Sequence, residues 1–349
     1  MKNNLIVIKG LFSAFATFIN QKLFLTVKEV SKGQVLFTIF LNANVKKRCI
    51  KIIITSCGNS VKIARSLAMK LKAKYSPLTI SAFPDGDTYL KYNAEVKGKT
   101  VVIVQSFQPR PEMSLFDIVF AAETAKDLGA KKVILAAPYL AYMRQDKRFH
   151  PGEAISSRIM AKLLNNSIDK IITVDPHLHR YKSLKDIFTI SAADLTANEL
   201  IAKYVKKKHP DSVIIGPDWE SYQWAEAIAK RVGVESTVLK KTRYSSKHVT
   251  SKMVKKINIK GKEVVIVDDI ISTGHTIAEA AKKAKALGAR KIIAIGVHGL
   301  FVGKAISIMK RAGVTEIITT NCIEHKTNKI DVTGLLAEAL RSKASRARK

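Results

Sequence analysis

Positions 264–276 read VVIVDDIISTGHT. A β-branched apolar run meets two adjacent carboxylates, Asp268 and Asp269, and then a short segment of small and hydroxylated residues. The carboxylates can accept hydrogen bonds from vicinal hydroxyls or act through a divalent cation, but they repel a phosphate. The segment behind them suits one. Ser272, Thr273 and Thr276 supply hydroxyl donors, and Gly274 lets the backbone approach an oxyanion closely. The run AEAAKKAKALGA that follows predicts a helix, whose first free N–H groups and partial positive charge favour an anion. A sugar phosphate answers both parts of the string, with hydroxyls to the acids and phosphate to the loop. A strand end and a helix cap account for one acid and one threonine, but poorly for the whole string.

The elements that must hold this string occur twice. KGKTVVIVQS at 97–106 and DLGAKKVILAAPYL at 127–140 match KGKEVVIVDD at 260–269 and ALGARKIIAIGVHG at 286–299. Each pair reads as a buried strand, a loop, an Ala-rich helix stopped by LGA, and a second buried strand. That is a βαβ unit in a parallel sheet covered on both faces. The extra four residues of the first copy are expected in the loop before its helix. Further strands are expected at 51–55, 78–83 and 170–175 around the first copy, and at 213–218, 236–241 and 316–320 around the second. Ligands of open parallel sheets bind beyond the carboxyl ends of the strands, where VVIVDD places Asp268 and Asp269. The first copy carries Gln105 and Ser106 there, so the sugar phosphate is expected in the second copy alone.

The 349 residues suit one large or two ordinary domains, and 47% hydrophobic content supplies proper cores. Sixty Lys and Arg against 28 Asp and Glu give a formal charge of +32. The basic residues are spread along the chain without aromatic interleaving or zinc spacing, so they read as a solvated surface rather than a nucleic-acid footprint. Cys49, Cys57 and Cys322 form no CxxC, which argues against a disulfide framework or zinc site and fits a reducing cytoplasm. The sequence contains no run of 18 apolar residues, so no membrane span is expected. Residues 1–49 hold eight Lys and Arg, one acid and no βαβ pattern. They read either as a short added element or as sequence upstream of the true start, with Leu41 and Val45 as candidate starts.

The strand–DD–STGHT–helix string resembles the phosphoribosyl pyrophosphate loop shared by phosphoribosyltransferases and ribose-phosphate pyrophosphokinases. Other motifs choose the latter family, in its archaeal-type branch. FPDGDTYLKY at 83–92 is similar to an FPDGE-type motif, with Asp85, Gly86 and Asp87 implied at the ATP site and Asp87 in place of Glu. PYLAYMRQDKRF at 138–149 resembles a PYxxYxRQD segment, which implies nucleotide contacts from Arg144 and Gln145. TVDPHLHR at 173–180 resembles a strand-end DLH motif, and IIGPDWE at 214–220 an SPD segment; the resemblance implies metal ligation by His177 and Asp218. Trp219 and Glu220 stand where the family tends to use small residues. LKKTRYSSKH at 239–248 resembles a catalytic flexible loop with a Lys-x-Arg signature, matched by Lys241 and Arg243.

The resemblance covers residues 50–335. It implies an α/β chain of two tandem phosphoribosyltransferase-like doubly wound domains with mainly parallel sheets, at 50–190 and 191–335, between an extension at 1–49 and a basic tail at 336–349. It implies transfer of the β,γ-diphosphoryl group of ATP to the 1-hydroxyl of ribose 5-phosphate, with Mg2+, in a homo-oligomer that shares its ATP site. Ribose 5-phosphate would then meet Asp268, Asp269, Ser272, Thr273, Gly274, His275, Thr276 and Arg243, with Lys241 and Arg243 catalytic. Two rivals are a phosphoribosyltransferase, which would consume the product, and a non-catalytic binding module of the same fold.

Overall fold

The computed structural model describes residues 23–30, 34–41, 51–243, 249–255 and 257–342. In the first fifty residues these form a hairpin of β1 (Leu23–Val30) and β2 (Gln34–Leu41), with Leu23 opposite Leu41 and Val30 opposite Gln34. The chain from Lys51 onward is a second compact unit and carries every motif above.

That unit begins with β3 (Ile52–Thr55), α1 (Val61–Leu71), β4 (Lys74–Tyr75), β5 (Leu78–Ala82) and β6 (Thr88–Tyr92). It continues through β7 (Thr100–Val104), α2 (Pro111–Asp127), β8 (Lys132–Ala137), α3 (Ser156–Ser167), β9 (Lys170–Val174) and β10 (Ser191–Leu195). Six strands form a parallel sheet in the order β10–β9–β8–β7–β3–β4. The second half runs through α4 (Asn198–Lys208), β11 (Val213–Gly216), α5 (Tyr222–Val232), β12 (Ser236–Arg243), β13 (Val249–Met253) and β14 (Glu263–Ile271). It ends with α6 (His275–Ala286), β15 (Lys291–Gly299), α7 (Ala305–Arg311), β16 (Glu316–Thr320), β17 (Asn328–Ile330) and α8 (Thr333–Arg341). Its sheet has the order β13–β12–β11–β14–β15–β16–β17, with β13 alone antiparallel to its neighbour. The two expected doubly wound halves are therefore present.

Three apolar clusters explain the continuous β-branched runs. One joins both halves, packing Ile54, Val102 and Ile172 with Ile214, Val265, Ile293 and Leu336. The other two cover the outer faces, with Ile118 and Met160 against Ile103 in the first half and Ala281 and Met309 against Ile266 in the second. The central strands of both sheets are thus apolar on both faces, as a covered parallel sheet requires.

The repeated LGA stop has a physical cause. Gly129 and Gly288 adopt φ of +77° and +84°, and a Cβ on either would lie 3.3 Å from the Cγ of Lys97 or Lys260. Their carbonyls accept the N–H groups of Gly98 (2.7 Å) and Gly261 (2.8 Å). The KGK turn before each strand is so tied to the helix end that follows it.

Several expectations change. The additional residues of the first copy lie in the helix: α2 has 17 residues and α6 has 12. The segment at 78–82 leaves the parallel sheet and pairs only with β6, as a two-stranded hairpin. Strand β10 pairs in parallel with β9, so the first sheet extends past the boundary drawn at 190. Residues 333–341 are helical, with Leu336 and Ala337 in the shared core, so the tail drawn from 336 begins inside a packed helix.

Candidate active site

The loops that follow β9, β11 and β14 enclose a cleft of about 950 Å³. It is lined by Arg144, His177, Asp218, Asp268, Asp269, Ser272, Thr273, Gly274 and Thr276, which sequence patterning singled out, and also by Asp175, His179, Asp194, Trp219 and Glu220.

Strand β14 does not stop at its aspartates. It runs to Ile271, with Ile270 opposite His298 and Ile271 opposite Gly299. Room for Ile271 comes from Gly296, where a Cβ would lie 2.7 Å from the isoleucine Cγ1. Asp268 is buried and Asp269 half-buried on this extended edge, and Asp268 Oδ1 accepts the Asp269 N–H at 3.1 Å. Ser272–Gly274 then turn into α6, braced by the Val302 N–H donating to Ser272 O at 3.0 Å. Gly274 has φ +78°, and a Cβ there would come within 2.9 Å of Ala305 O. The glycine is thus required by its own backbone and by the close approach of α7, which sequence reasoning attributed to an oxyanion. Thr273, Ser272 and Thr276 face the cleft beside the first turn of α6, while His275 is exposed and does not line it.

Opposite stand two histidines from the first half. His177 Nδ1 lies 2.6 Å from Asp269 Oδ2, and His179 Nε2 lies 3.0 Å from His177 Nδ1. Glu220 Oε2 is 3.8 Å from His179 Nε2. The turn that delivers them is strained, with φ of +39° at Asp175 and +20° at His177. Two contacts over-determine it. The Ala197 N–H donates to Asp175 Oδ2 at 2.8 Å, and His298, reaching over from β15, places Nε2 at 3.0 Å from Val174 O and 3.2 Å from Asp175 O. His298 is 1% exposed and tilts against Tyr139, its counterpart in the first repeat, with centroids 4.9 Å apart.

Electrostatics divide these groups. Burial raises Asp268 well above the usual carboxylate range, and the charges of Asp269 and Asp218 add to it. Burial acts on Asp269 too, but the His177 hydrogen bond and the nearby His177, His179 and His298 outweigh it and hold this carboxyl below its ordinary value. The surroundings therefore push the adjacent acids in opposite directions, Asp268 up and Asp269 down. Burial, followed by Asp269 and Asp194, pushes Asp175 up to about 7, against the Ala197 and Thr196 hydrogen bonds. Burial lowers His298 to about 4, which leaves its imidazole neutral with the proton on Nε2. His179 is lowered by burial and then by His177.

The remaining expected residues lie at the edge of the cleft or outside it. Asp218 lines the cleft but closes its own turn, taking the Ser221 N–H at 3.1 Å, and stands apart from the His177–His179–Asp269 cluster. Trp219 joins the cleft wall and stacks on Tyr222 at 5.3 Å. Arg144 is exposed at the rim, while Gln145 accepts the Ser156 hydroxyl at 2.5 Å and lies outside the lining. Asp146, next in that motif, is buried and paired with Arg180 at 2.9 Å, which fixes the motif against the histidine turn. Asp85, Gly86 and Asp87 form the exposed turn between β5 and β6, with the Asp87 N–H on Asp85 Oδ1 at 3.2 Å, and do not reach the cleft. Lys241 and Arg243 lie on β12, where their backbone pairs with Ser251 and Val249; their side chains fall outside the described residues. The expected flexible loop therefore begins as a β-arm. Sequence reasoning noted Asp175 beside His177 without giving it a role, and missed Tyr139 and His298. Aligning the two copies through LGA pairs His298 with Tyr139 and was the available signal for the latter.

Comparison with known proteins bears on this arrangement. Residues 52–167 match the family model of the N-terminal domain of ribose phosphate pyrophosphokinase, and residues 183–333 that of the phosphoribosyl transferase domain. The chain is 35% identical to the ribose-phosphate pyrophosphokinase of Methanopyrus kandleri over 83% of its length and 98% of that protein. It is also 35% identical to that of Saccharolobus solfataricus over 75% of its length and 89% of that protein. The crystal structure of phosphoribosylpyrophosphate synthetase from Mycobacterium smegmatis superposes with a TM-score of 0.74 at 26% identity, covering 83% of this chain and 98% of that one.

Proposed function

Because the chain belongs to the ribose-phosphate pyrophosphokinase family, we propose that its cleft joins ATP and ribose 5-phosphate to give phosphoribosyl pyrophosphate and AMP. The anomeric hydroxyl oxygen forms a bond to the β-phosphorus of ATP as its O–H bond breaks and the proton passes to solvent. The bond between that phosphorus and the oxygen bridging to the α-phosphorus breaks, and AMP leaves with its electron pair. Displacement of this kind is a matter of positioning and charge. The observation that carries the reading is the meeting, in one cleft, of a helix start lined by hydroxyl side chains, an adjacent acid pair, and the histidine cluster with Arg144. Ser272, Thr273 and Thr276 would hold the 5-phosphate. Asp268 and Asp269 would accept hydrogen bonds from the ribose hydroxyls. Lys241 and Arg243 would close on the transferring group from the β-arm.

A divalent cation, Mg2+ by the resemblance, would neutralise the triphosphate. The donor set fits a cation, since the ligating atoms of His177, His179 and Asp269 lie within 4.8 Å of one another. Asp85, Gly86 and Asp87 lie off the cleft, so in this reading ATP is completed by a second copy of the chain. Exposed Met113, Phe116 and Phe120 along α2, with Phe83 on the β5–β6 turn, supply an apolar face for that contact. The free thiols Cys57 and Cys322 suit the cytoplasm, where these substrates reside. Among the described residues no helix is long and apolar enough to cross a membrane.

The test is a coupled assay for AMP release from ATP and ribose 5-phosphate, with no nucleobase present. AMP stoichiometric with phosphoribosyl pyrophosphate supports the reading. A requirement for a nucleobase would support a phosphoribosyltransferase instead, and no turnover with any divalent ion would leave a binding module.

A further inference from the structure

The turn after β11 carries an aromatic side chain to which the proposed reaction gives no task. Residues 217–220 join β11 to Ser221 at the start of α5, and residues 56–59 join β3 to Ser60 at the start of α1. The two connections are equal in length, and Gly58 in the first stands where Trp219 stands in the second. The connection therefore forms without an aromatic residue, and the family resemblance points to small residues here as well. Trp219 is nonetheless 56% exposed and lines the cleft, so the demands of the turn do not account for it.

The indole is held in place. The Ser221 N–H donates to Asp218 Oδ1 at 3.1 Å, the Ser221 hydroxyl to Asp218 O at 2.7 Å, and the Tyr222 N–H to Trp219 O at 3.2 Å. Tyr222 backs the indole in a near-parallel stack, with centroids 5.3 Å and planes 15° apart. Its own hydroxyl is tethered to Glu226 Oε1 at 3.4 Å. Two stacked rings on a tied turn form a platform whose remaining surface suits a third planar ring. The platform flanks the sugar-phosphate wall, because β11 and β14 are adjacent parallel strands, with Ile215 opposite Ile266, and their loops line the same cleft.

The sugar phosphate says which planar ring would arrive there. A nucleoside 5′-monophosphate is ribose 5-phosphate with a base on C1 in place of the hydroxyl. Its phosphate and vicinal hydroxyls match the groups assigned to Ser272, Thr273, Thr276 and the acid pair, and only the base is new. With C1 occupied it cannot accept a diphosphoryl group, so it binds as a dead end. Replacing the diphosphate of the product by a base yields this class of molecule.

We propose that Trp219, backed by Tyr222, is a base platform through which nucleoside 5′-monophosphates occupy the ribose 5-phosphate half of the cleft and exclude that substrate. The proposal rests on the reading of the β14 loop as the sugar-phosphate site, and goes beyond it in giving this chain's own tryptophan a ligand.

The experiment is calorimetric titration of AMP, GMP and ribose 5-phosphate into the full chain with Mg2+ and no ATP, followed by displacement of each bound monophosphate with ribose 5-phosphate. The wild type should bind both monophosphates and release both to ribose 5-phosphate. Trp219→Ala should weaken AMP and GMP by about tenfold, within the range of one base stacked on an aromatic ring. Ribose 5-phosphate should stay within about twofold, which shows that the fold and the phosphate loop are intact. Trp219→Phe, which keeps a smaller ring, should recover most of the loss. Monophosphates that ribose 5-phosphate fails to displace, unchanged monophosphate affinity in Trp219→Ala, or equal losses for monophosphates and ribose 5-phosphate would overturn the proposal. AMP formation from ATP and ribose 5-phosphate in that case would leave the enzyme assignment standing. Displacement and dependence on Trp219 in a protein that forms no AMP would uphold the platform and remove the assignment.

Discussion

The two copies of the βαβ unit share their KGK turn, their glycine stop and their buried strands, and diverge where the first strand meets its loop. In the first copy Gln105 and Ser106 are fully buried. Gln105 Oε1 takes the Cys57 N–H at 3.2 Å. Ser106 accepts the Tyr139 N–H at 3.3 Å, donates its hydroxyl to Cys322 O in the other half, and gives its own N–H to Ser60 Oγ at 2.8 Å. Every one of these bonds stays inside the protein. In the second copy Asp268 and Asp269 occupy the same positions and line the cleft; they share one short-range bond, and Asp269 also meets His177 of the first half at 2.6 Å. A neutral pair that satisfies itself ties the halves together. The acid pair keeps carboxylate oxygens on the cleft wall, within reach of a ligand. Both copies need the glycines of the KGK turn and the LGA stop, whereas Gly274 and Gly296 serve the second copy alone.

The largest effect is expected from the arm beside the second copy. Charge moves onto the departing AMP as transfer proceeds, and a cation that engages only then lowers the barrier without tightening ground-state binding. Lys241→Ala should lower kcat by at least ~100-fold with a modest change in KM, and Arg243→Ala similarly with a greater rise in the KM for ribose 5-phosphate. Steady-state kinetics showing near-normal turnover in both would make the pair surface charge.

Next comes acid sensitivity at the paired aromatic positions. The folded form of His298 has a value near 4 against the ordinary 6.5, mainly through burial. Between these pH values the unfolded chain binds a proton that the folded chain refuses, so stability falls as pH drops through that window. Asp175 acts in the other direction, since its folded value of about 7 against 3.8 keeps a proton that the unfolded chain releases. The two slopes offset in the wild type. His298→Gln retains a donor for Val174 O but removes its share, so its stability relative to wild type should rise by about 2–3 kcal/mol from pH 7 to pH 4.5. Urea unfolding at the two pH values measures this, and parallel wild-type and variant curves would refute it.

At the first copy, Ser106→Ala removes a buried hydroxyl that serves Tyr139 and Cys322, and should cost about 1–2 kcal/mol in thermal or urea unfolding. The smallest effect is expected outside the comparison altogether. Removing residues 1–44 takes away the β1–β2 hairpin and none of the residues assigned to the cleft, so AMP formation should be unchanged. An inactive truncation would give that hairpin a role in the active protein.

Much of this contrast was legible in the amino-acid order because it rests on local signals. β-branched runs mark strands, LGA marks a helix end, and the acids followed by STGHT mark a strand-to-helix turn. What escaped depends on partners distant in sequence. Ile270 and Ile271 extend their strand because β15 offers His298 and Gly299 beside them. Ser191–Leu195 belongs to the first sheet because β9 pairs with it. Gly274 also answers a packing demand, since Ala305 O lies 2.9 Å from where its Cβ would stand. His298 acts across more than 120 residues, on carbonyls that carry no side-chain signature.

The division of labour between the copies is tested most directly by calorimetric titration of ribose 5-phosphate and of ATP into wild type, Asp268→Asn and Ser106→Ala. Asp268→Asn should weaken ribose 5-phosphate by about tenfold or more, the scale of one hydrogen bond to a charged or ionisable group, and leave ATP within about twofold. Ser106→Ala should leave both ligands within about twofold of wild type. Equal losses for the two ligands in Asp268→Asn, or loss of ribose 5-phosphate in Ser106→Ala, would contradict the assignment of the sugar phosphate to the second copy.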